Sequence, residues 1–303
     1  MNRNLLVVRA AAGGLAVVVT SAGAMGAVDG VVNAGDMYGA ALAVQTTQTG
    51  FTDNLSELNA AFGVISGGRL QLAITGNITN IFNNIEVFLD SRPGGQNVYA
   101  SAGNDNTAAM NGFVFDSGFT ADYHLNFRRG VDGTPRFNVD FADLQGGAAS
   151  GYTSLFGAAM VGSGATGTGV NANPIEVAYN DSNAAGVTGG SGAANQAAAA
   201  AVTTGLEFSV ALSDIVAAGE VRVLVFINNQ GHNFASNQFL PGLVTPQGNL
   251  GGDGAGGFTG SLNGLNLNNF YPGANEGWFT VAPAPGAAGL LGLGALAALR
   301  RRR

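Results

Sequence analysis

Two histidines, nineteen carboxylates and no cysteine bound the chemistry open to this 303-residue chain. His124 lies in Asp122-Tyr123-His124-Leu125, where strand alternation sends it to the same face as Asp122 and Asn126 and away from Tyr123 and Leu125. With no nucleophile placed beside it, it reads as a solvated or loop-packed imidazole rather than a general base. His232 follows Gly231 in a turn over 228–233 and reads as a hydrogen-bonded loop histidine. No zincin, phosphate-loop, nucleophile-elbow or dinucleotide pattern occurs. Carboxylate pairs for glycoside hydrolysis need a separation in space that linear order does not supply. The chain therefore reads as a non-enzyme. The lack of cysteine also removes disulfides and thiolate metal sites.

Two ligand chemistries remain. Calcium wants several oxygens converging from carboxylates and carbonyls, and glycine-rich loops let carbonyls turn inward. Asp90 with Asn97, Asp105 within Asn104-Asp105-Asn106, and Asp181 within Asn180-Asp181-Ser182-Asn183 are the candidate Ca²⁺ ligands. None has EF-hand spacing, and each cluster has an alternative role as a turn former. A saccharide would need exposed aromatics beside hydrogen-bonding groups. Tyr152, Phe156 and Tyr271 are the candidates near loops, Trp278 being the single tryptophan.

The elements that position these residues read as strands. Glycine accounts for 49 residues and lysine for none, so the usual helix-forming mixture is missing. Period-two alternation runs through Leu70, Leu72 and Ile74; Ile85, Val87 and Leu89; Tyr123, Leu125 and Phe127; and Phe137, Val139 and Phe141. It returns at Leu206, Phe208 and Val210, and at Val221, Val223, Val225 and Ile227. Further strands are expected over 40–45, 112–116, 175–179 and 278–281, giving roughly ten in an all-β antiparallel β-sandwich. Short helical turns are expected over 55–62 and 212–217. The alanine run 193–201 reads as mobile loop, and the Gly/Ala/Asn-rich stretches 145–173, 181–204 and 247–269 read as disordered.

Both ends read as addresses. Arg3 and Arg9 precede an apolar run over 10–19, and Ala22-Gly23-Ala24 or Gly26-Ala27 offers a cleavage site, the pattern of a secretory signal peptide placed at 1–27. At the other end Pro283, Ala284 and Pro285 precede an apolar stretch over 286–299 and then Arg300, Arg301, Arg302 and Arg303. Its 14 residues span about 21 Å as a helix, against a hydrocarbon layer of roughly 30 Å. The terminal arginines are expected to stay cytoplasmic. Between the addresses, residues 28–281 form one expected domain holding six arginines against nineteen carboxylates, a formal charge of −13. That balance disfavours nucleic acid, whose phosphates need a basic face.

The order of proline motif, apolar stretch and terminal arginines resembles the PEP-CTERM sorting signal of Gram-negative bacteria, over 282–303, with Ala284 where the family usually has Glu. The resemblance implies the secretion translocon, signal peptidase and an exosortase-type membrane protease-transpeptidase as partners. It also implies transient inner-membrane anchoring by a C-terminal hydrophobic helix, opposite an N-terminal signal helix, before delivery to the cell surface or extracellular matrix. Whether the tail is cut or kept as an anchor stays open. In the body, the 85–97 segment, and 205–215 followed by 220–229 and 236–243, resemble DOMON-like or family-9 carbohydrate-module-like domains of secreted bacterial proteins such as those of planctomycetes. That likeness implies a jelly-roll or DOMON-like sandwich. Two functions follow as expectations: a structural or interaction protein of the surface or matrix, or a secreted module retaining matrix polysaccharide with Ca²⁺.

Overall fold

The computed structural model describes residues 26–284. The signal segment as far as residue 25, Pro285, the apolar stretch 286–299 and Arg300 to Arg303 lie outside the described residues. The elements are β1 (Ala43–Val44), β2 (Glu57–Ser66), β3 (Arg69–Asn77), β4 (Ile81–Asp90), β5 (Tyr123–Asp132), β6 (Thr134–Asp143), β7 (Ala148–Tyr152), β8 (Gly162–Ala165) and β9 (Glu176–Tyr179). The short helix α1 (Gln196–Ala200) follows, then β10 (Gly205–Ala211), β11 (Val221–Asn228), β12 (Ala235–Leu240) and β13 (Phe279–Val281).

The strands form two antiparallel sheets in a sandwich-like arrangement. One has the order β1-β2-β3-β10-β9-β8. The other runs β12-β11-β4-β5-β6-β7, with β13 pairing β11 beside β12. Register follows the alternation: Leu206, Phe208 and Val210 of β10 stand opposite Ile74, Leu72 and Leu70 of β3, and all six are buried. In the second sheet Val225, Val87, Leu125 and Phe141 form one row across β11, β4, β5 and β6. The two inner faces meet there, with the Phe127 and Phe208 rings 4.9 Å apart. Each such side chain contributes about 1.5–3 kcal/mol by leaving water.

The expected helix over 55–62 is instead the start of β2. Its side chains are buried on both faces, Leu58 and Ala61 in the central core and Ala60 and Phe62 under the N-terminal segment, so no polar alternation marks it. Its register with β3 slips between Leu58 and Ala60. Gly76 accommodates that bulge at φ 130°, where a β-carbon would stand 2.1 Å from the Glu57 carbonyl oxygen. Residues 212–217 form turns rather than helix. The alanine run holds α1, capped by the Asn195 side chain, which accepts from the Ala198 N–H. The stretch over 112–116 forms bridges from Val114 to Val98 and Asn266 rather than a full strand.

The stretches expected to be disordered are built into the body. β7 and β8 lie within 145–173, and 247–269 supplies Leu250, Leu262, Leu265 and Leu267, all fully buried. With Tyr99, Met110, Phe113, Phe115, Phe119 and Trp278 they form a second apolar layer on the outer face of the seven-stranded sheet, against Phe88, Leu224 and Phe226. This face is therefore not the solvated side usual in an antiparallel sheet. Phe113 packs edge-on to Phe115 at 5.1 Å and tilted to Phe226 at 5.6 Å.

Phe113 sits outside every strand, so its truncation separates a packed layer from loose covering. Phe113→Ala is expected to cost about 3–5 kcal/mol, read as a lowered urea midpoint at unchanged slope. A change within about 0.5 kcal/mol, as at a surface position, would contradict the second core.

Candidate functional site

The register that builds the central core also fixes what points the other way. Glu86 of β4, Asn126 of β5 and Asp140 of β6 form one row on the outer face, with Phe226 of β11 at its end. Flanking rows hold Phe88 with His124, and Asn84 with Arg128 and Asn138. A carboxylate, an imidazole and a guanidinium thus stand beneath the second apolar layer, and Glu86 and His124 have no exposed surface. Buried charge on this scale must be paired.

The pairs are short and continuous. Glu86 Oε2 is 2.8 Å from His124 Nε2, and its Oε1 is 2.6 Å from His232 Nδ1 and accepts from the Asn228 amide at 3.3 Å. The other ring nitrogen of His232, Nε2, lies 3.0 Å from Asp105 Oδ2. Arg128 Nε approaches the same Asp105 oxygen at 3.2 Å while its Nη1 pairs with Asp140. The His124 ring stacks on Phe88 at 4.5 Å. His232 and Asp105 both come from connecting segments, with positive φ values of 54° and 43°.

This chain of charges sets the protonation states. Burial alone would push the Glu86 carboxyl up, but the charge of His232 and hydrogen bonds from both imidazoles outweigh it and hold it at about 2. Burial likewise disfavours a charged His232, and the Glu86 and Asp105 carboxylates overcome that and raise it to about 9. Asp105 is lowered against its burial by the His232 hydrogen bond and the Arg128 charge. Asp140 is raised because burial exceeds the pull of Arg128. Around the chain, His124 Nδ1, both amide atoms of Asn126, Asn84 Oδ1 and the Tyr99 hydroxyl are buried without a hydrogen-bond partner among the described residues.

Only the Asp105 end reaches the surface. It borders a groove of about 280 Å³ lined also by Phe82, Asn106, Arg128, Arg136, Asn138 and Gln230. The Phe82 ring lies against Gly130, where a β-carbon would come within 2.5 Å of it, and Arg136 sits 5.7 Å from its centroid.

The residues singled out from sequence are dispersed. Asp90 accepts from the Thr120 N–H and faces Arg222, the Asn97 amide donates to the Phe119 carbonyl, and Asp181 pairs with Arg129. With Asp105 taken by His232 and Arg128, three of the four candidate calcium ligands face a guanidinium, a donor environment that opposes a cation. Among the described residues no group of three or more His, Asp or Glu is arranged to hold a metal. Tyr271 is buried in the second layer with its hydroxyl on the Pro241 carbonyl, which removes it as a stacking platform for sugars. Phe156 stacks on Phe137 at 4.6 Å and Tyr152 bonds Asn171, so these two are partly spent on the body. His124 and His232 are loop-packed and hydrogen-bonded, and both converge on Glu86. The sequence does carry a trace of Glu86: it and Phe88 share the face opposite Ile85, Val87 and Leu89, and a buried Phe beside it marks that face as covered.

No family model, curated relative or solved structure matches the chain.

The cluster makes stability depend on pH in a stated direction. The depressed Glu86 contributes fully above its ordinary value near 4.5 and loses that contribution as pH falls toward about 2. The raised His232 contributes fully below its ordinary value of 6.5 and loses it as pH rises through about 9. Glu86→Gln is expected to cost about 3–5 kcal/mol at pH 6 and to shrink the alkaline loss, measured by urea unfolding at pH 6 and about 9.5. An unchanged alkaline slope in the variant would show that Glu86 does not hold the His232 charge.

Proposed function

We propose that this chain is an exported structural or interaction protein of the cell surface or extracellular matrix, acting by binding rather than catalysis. Its tail is handled by an exosortase-type membrane protease-transpeptidase, after the translocon and signal peptidase have acted at the other end. The observation that supports this reading is where the folded body stops. Beyond β13 the chain crosses to the other sheet, Pro283 bridges Ile65 of β2 in parallel, and the Ala284 N–H donates to the Ile65 carbonyl at 2.9 Å. The proline motif thus stands at the boundary between a closed two-core body and the apolar, arginine-ended tail. A jelly-roll or DOMON-like form for the sandwich belongs to the same proposal.

Replacing Arg300 to Arg303 by neutral residues is expected to leave precursor in the inner membrane, followed by fractionation and immunoblotting. Undiminished surface delivery would contradict the sorting role.

A second reading, retention of matrix polysaccharide, is favoured by the groove at Asp105. Its aromatic face, Phe82, stands beside Asn106, Asn138 and Gln230, the pairing of ring and amide hydrogen-bonders that a sugar needs. Because Asp105 is already paired, binding there is expected to be insensitive to chelators. Phe82→Ala is expected to abolish saturable binding on a glycan array, and binding that survives the substitution would remove this groove as the site.

A further inference from the structure

The N-terminal segment crosses the outer face of the six-stranded sheet, held by a buried glutamate. Glu207 accepts from the backbone N–H groups of Asp29 at 2.8 Å and Gly30 at 2.9 Å, from the Tyr38 hydroxyl at 2.5 Å and from the Gln71 amide at 2.9 Å. Four donors satisfy it. A second carboxylate nearby is left differently. Asp36 is 1% exposed; its Oδ2 accepts from the Asn33 N–H at 2.6 Å, whereas its Oδ1 is buried without a partner among the described residues.

That oxygen faces Gly26. A β-carbon built on Gly26 would stand 2.0 Å from Asp36 Oδ1 and 2.6 Å from the Asp36 α-carbon, so the two backbones touch there. The Gly26 carbonyl is in turn within 3.5 Å of the Gln71 amide. Burial pushes the Asp36 carboxyl up, the Asn33 N–H opposes this, and the charge of Asp29 adds to the rise. A desolvated carboxylate oxygen in this position lacks a cationic donor.

We propose that Asp36 receives the chain's own α-ammonium, created when the signal segment is removed after Ala24 so that Met25 becomes the first residue. The inference rests on the export reading above. Signal peptidase would hydrolyse the Ala24–Met25 peptide bond: the oxygen of water goes to the new Ala24 carboxylate, and the Met25 nitrogen leaves as an amine that takes up a proton. An α-amine titrates near 8, so it is charged at neutral pH, and here it lies one peptide unit from Gly26. The resulting charge-assisted hydrogen bond is unavailable to the precursor, which has an uncharged amide at that position. Cleavage thereby completes the body. The other candidate cut, leaving Val28 first, would discard Gly26 and leave Asp36 Oδ1 without this partner.

The sequence supplies a clean probe. All twelve basic residues are arginines, so the α-amine is the protein's only primary amine. Mature protein from exporting cells is mapped by intact mass and treated with an amine-acylating reagent, folded and in urea. Expected is a Met25 start, with acylation at least about tenfold slower in the folded protein than in the unfolded chain. Asp36→Asn, which keeps an oxygen for the Asn33 N–H, is expected to bring the folded rate close to the unfolded one. Should that variant fail to fold, the wild-type folded-to-unfolded ratio decides alone. A start at Val28, or a ratio near one at a Met25 start, overturns the capture and leaves the export reading standing. A chain still beginning at Met1 overturns both.

Discussion

The placement of the Glu86 carboxylate between two imidazoles is the constraint on which the outer half of this structure depends. A carboxylate with no exposed surface in the middle of a sheet is tolerable only with charged or donating partners on both oxygens. One partner, His124, comes from the neighbouring strand and is fixed by register. The other, His232, comes from the turn between β11 and β12, and it carries Asp105 of the 96–121 segment with it. Meeting the needs of one side chain therefore brings two distant connections onto the same face.

Apolar packing then completes what the charges locate. Phe113 and Phe115 from one connection, and Leu262, Leu265 and Leu267 from the other, bury against Phe88 and Phe226 around the ionic cluster. The opposite sheet repeats the scheme on a smaller scale: Glu207, buried on its outer face, gathers the N–H groups of Asp29 and Gly30 and the Tyr38 hydroxyl. Each sheet thus carries one buried glutamate at which irregular chain is fastened. A glycine-rich acidic body gains order in this way without disulfides, consistent with the proposed life outside the cell.

Strands buried on one face were legible in the sequence because Leu70, Leu72 and Ile74, or Val221, Val223 and Val225, alternate with residues of another kind. β2 was hidden because Leu58 and Ala61 face one core while Ala60 and Phe62 face another, so both faces read alike. The connections were misread for a compositional reason: Gly, Asn and Ala dominate 247–269, and the few leucines that anchor it follow no period. At the site, the face of His124 could be placed by alternation, and a hydrogen bond for His232 by its turn. Their common partner could not, because Glu86 joins them only through the pairing of β4 with β5 and a long-range approach of the 228–233 turn. Asp90, Asp105 and Asp181 show the converse limit, since acidic clusters in sequence turned out to be partners of Arg222, Arg128 and Arg129.

The most direct test of the account is the protonation of His232, read from the ¹⁵N resonances of its imidazole at pH 7.5. Held between Glu86 and Asp105, the ring is expected to carry protons on both nitrogens and to titrate near 9. A neutral ring titrating near 6.5 would contradict the charged network to which the second layer is attributed.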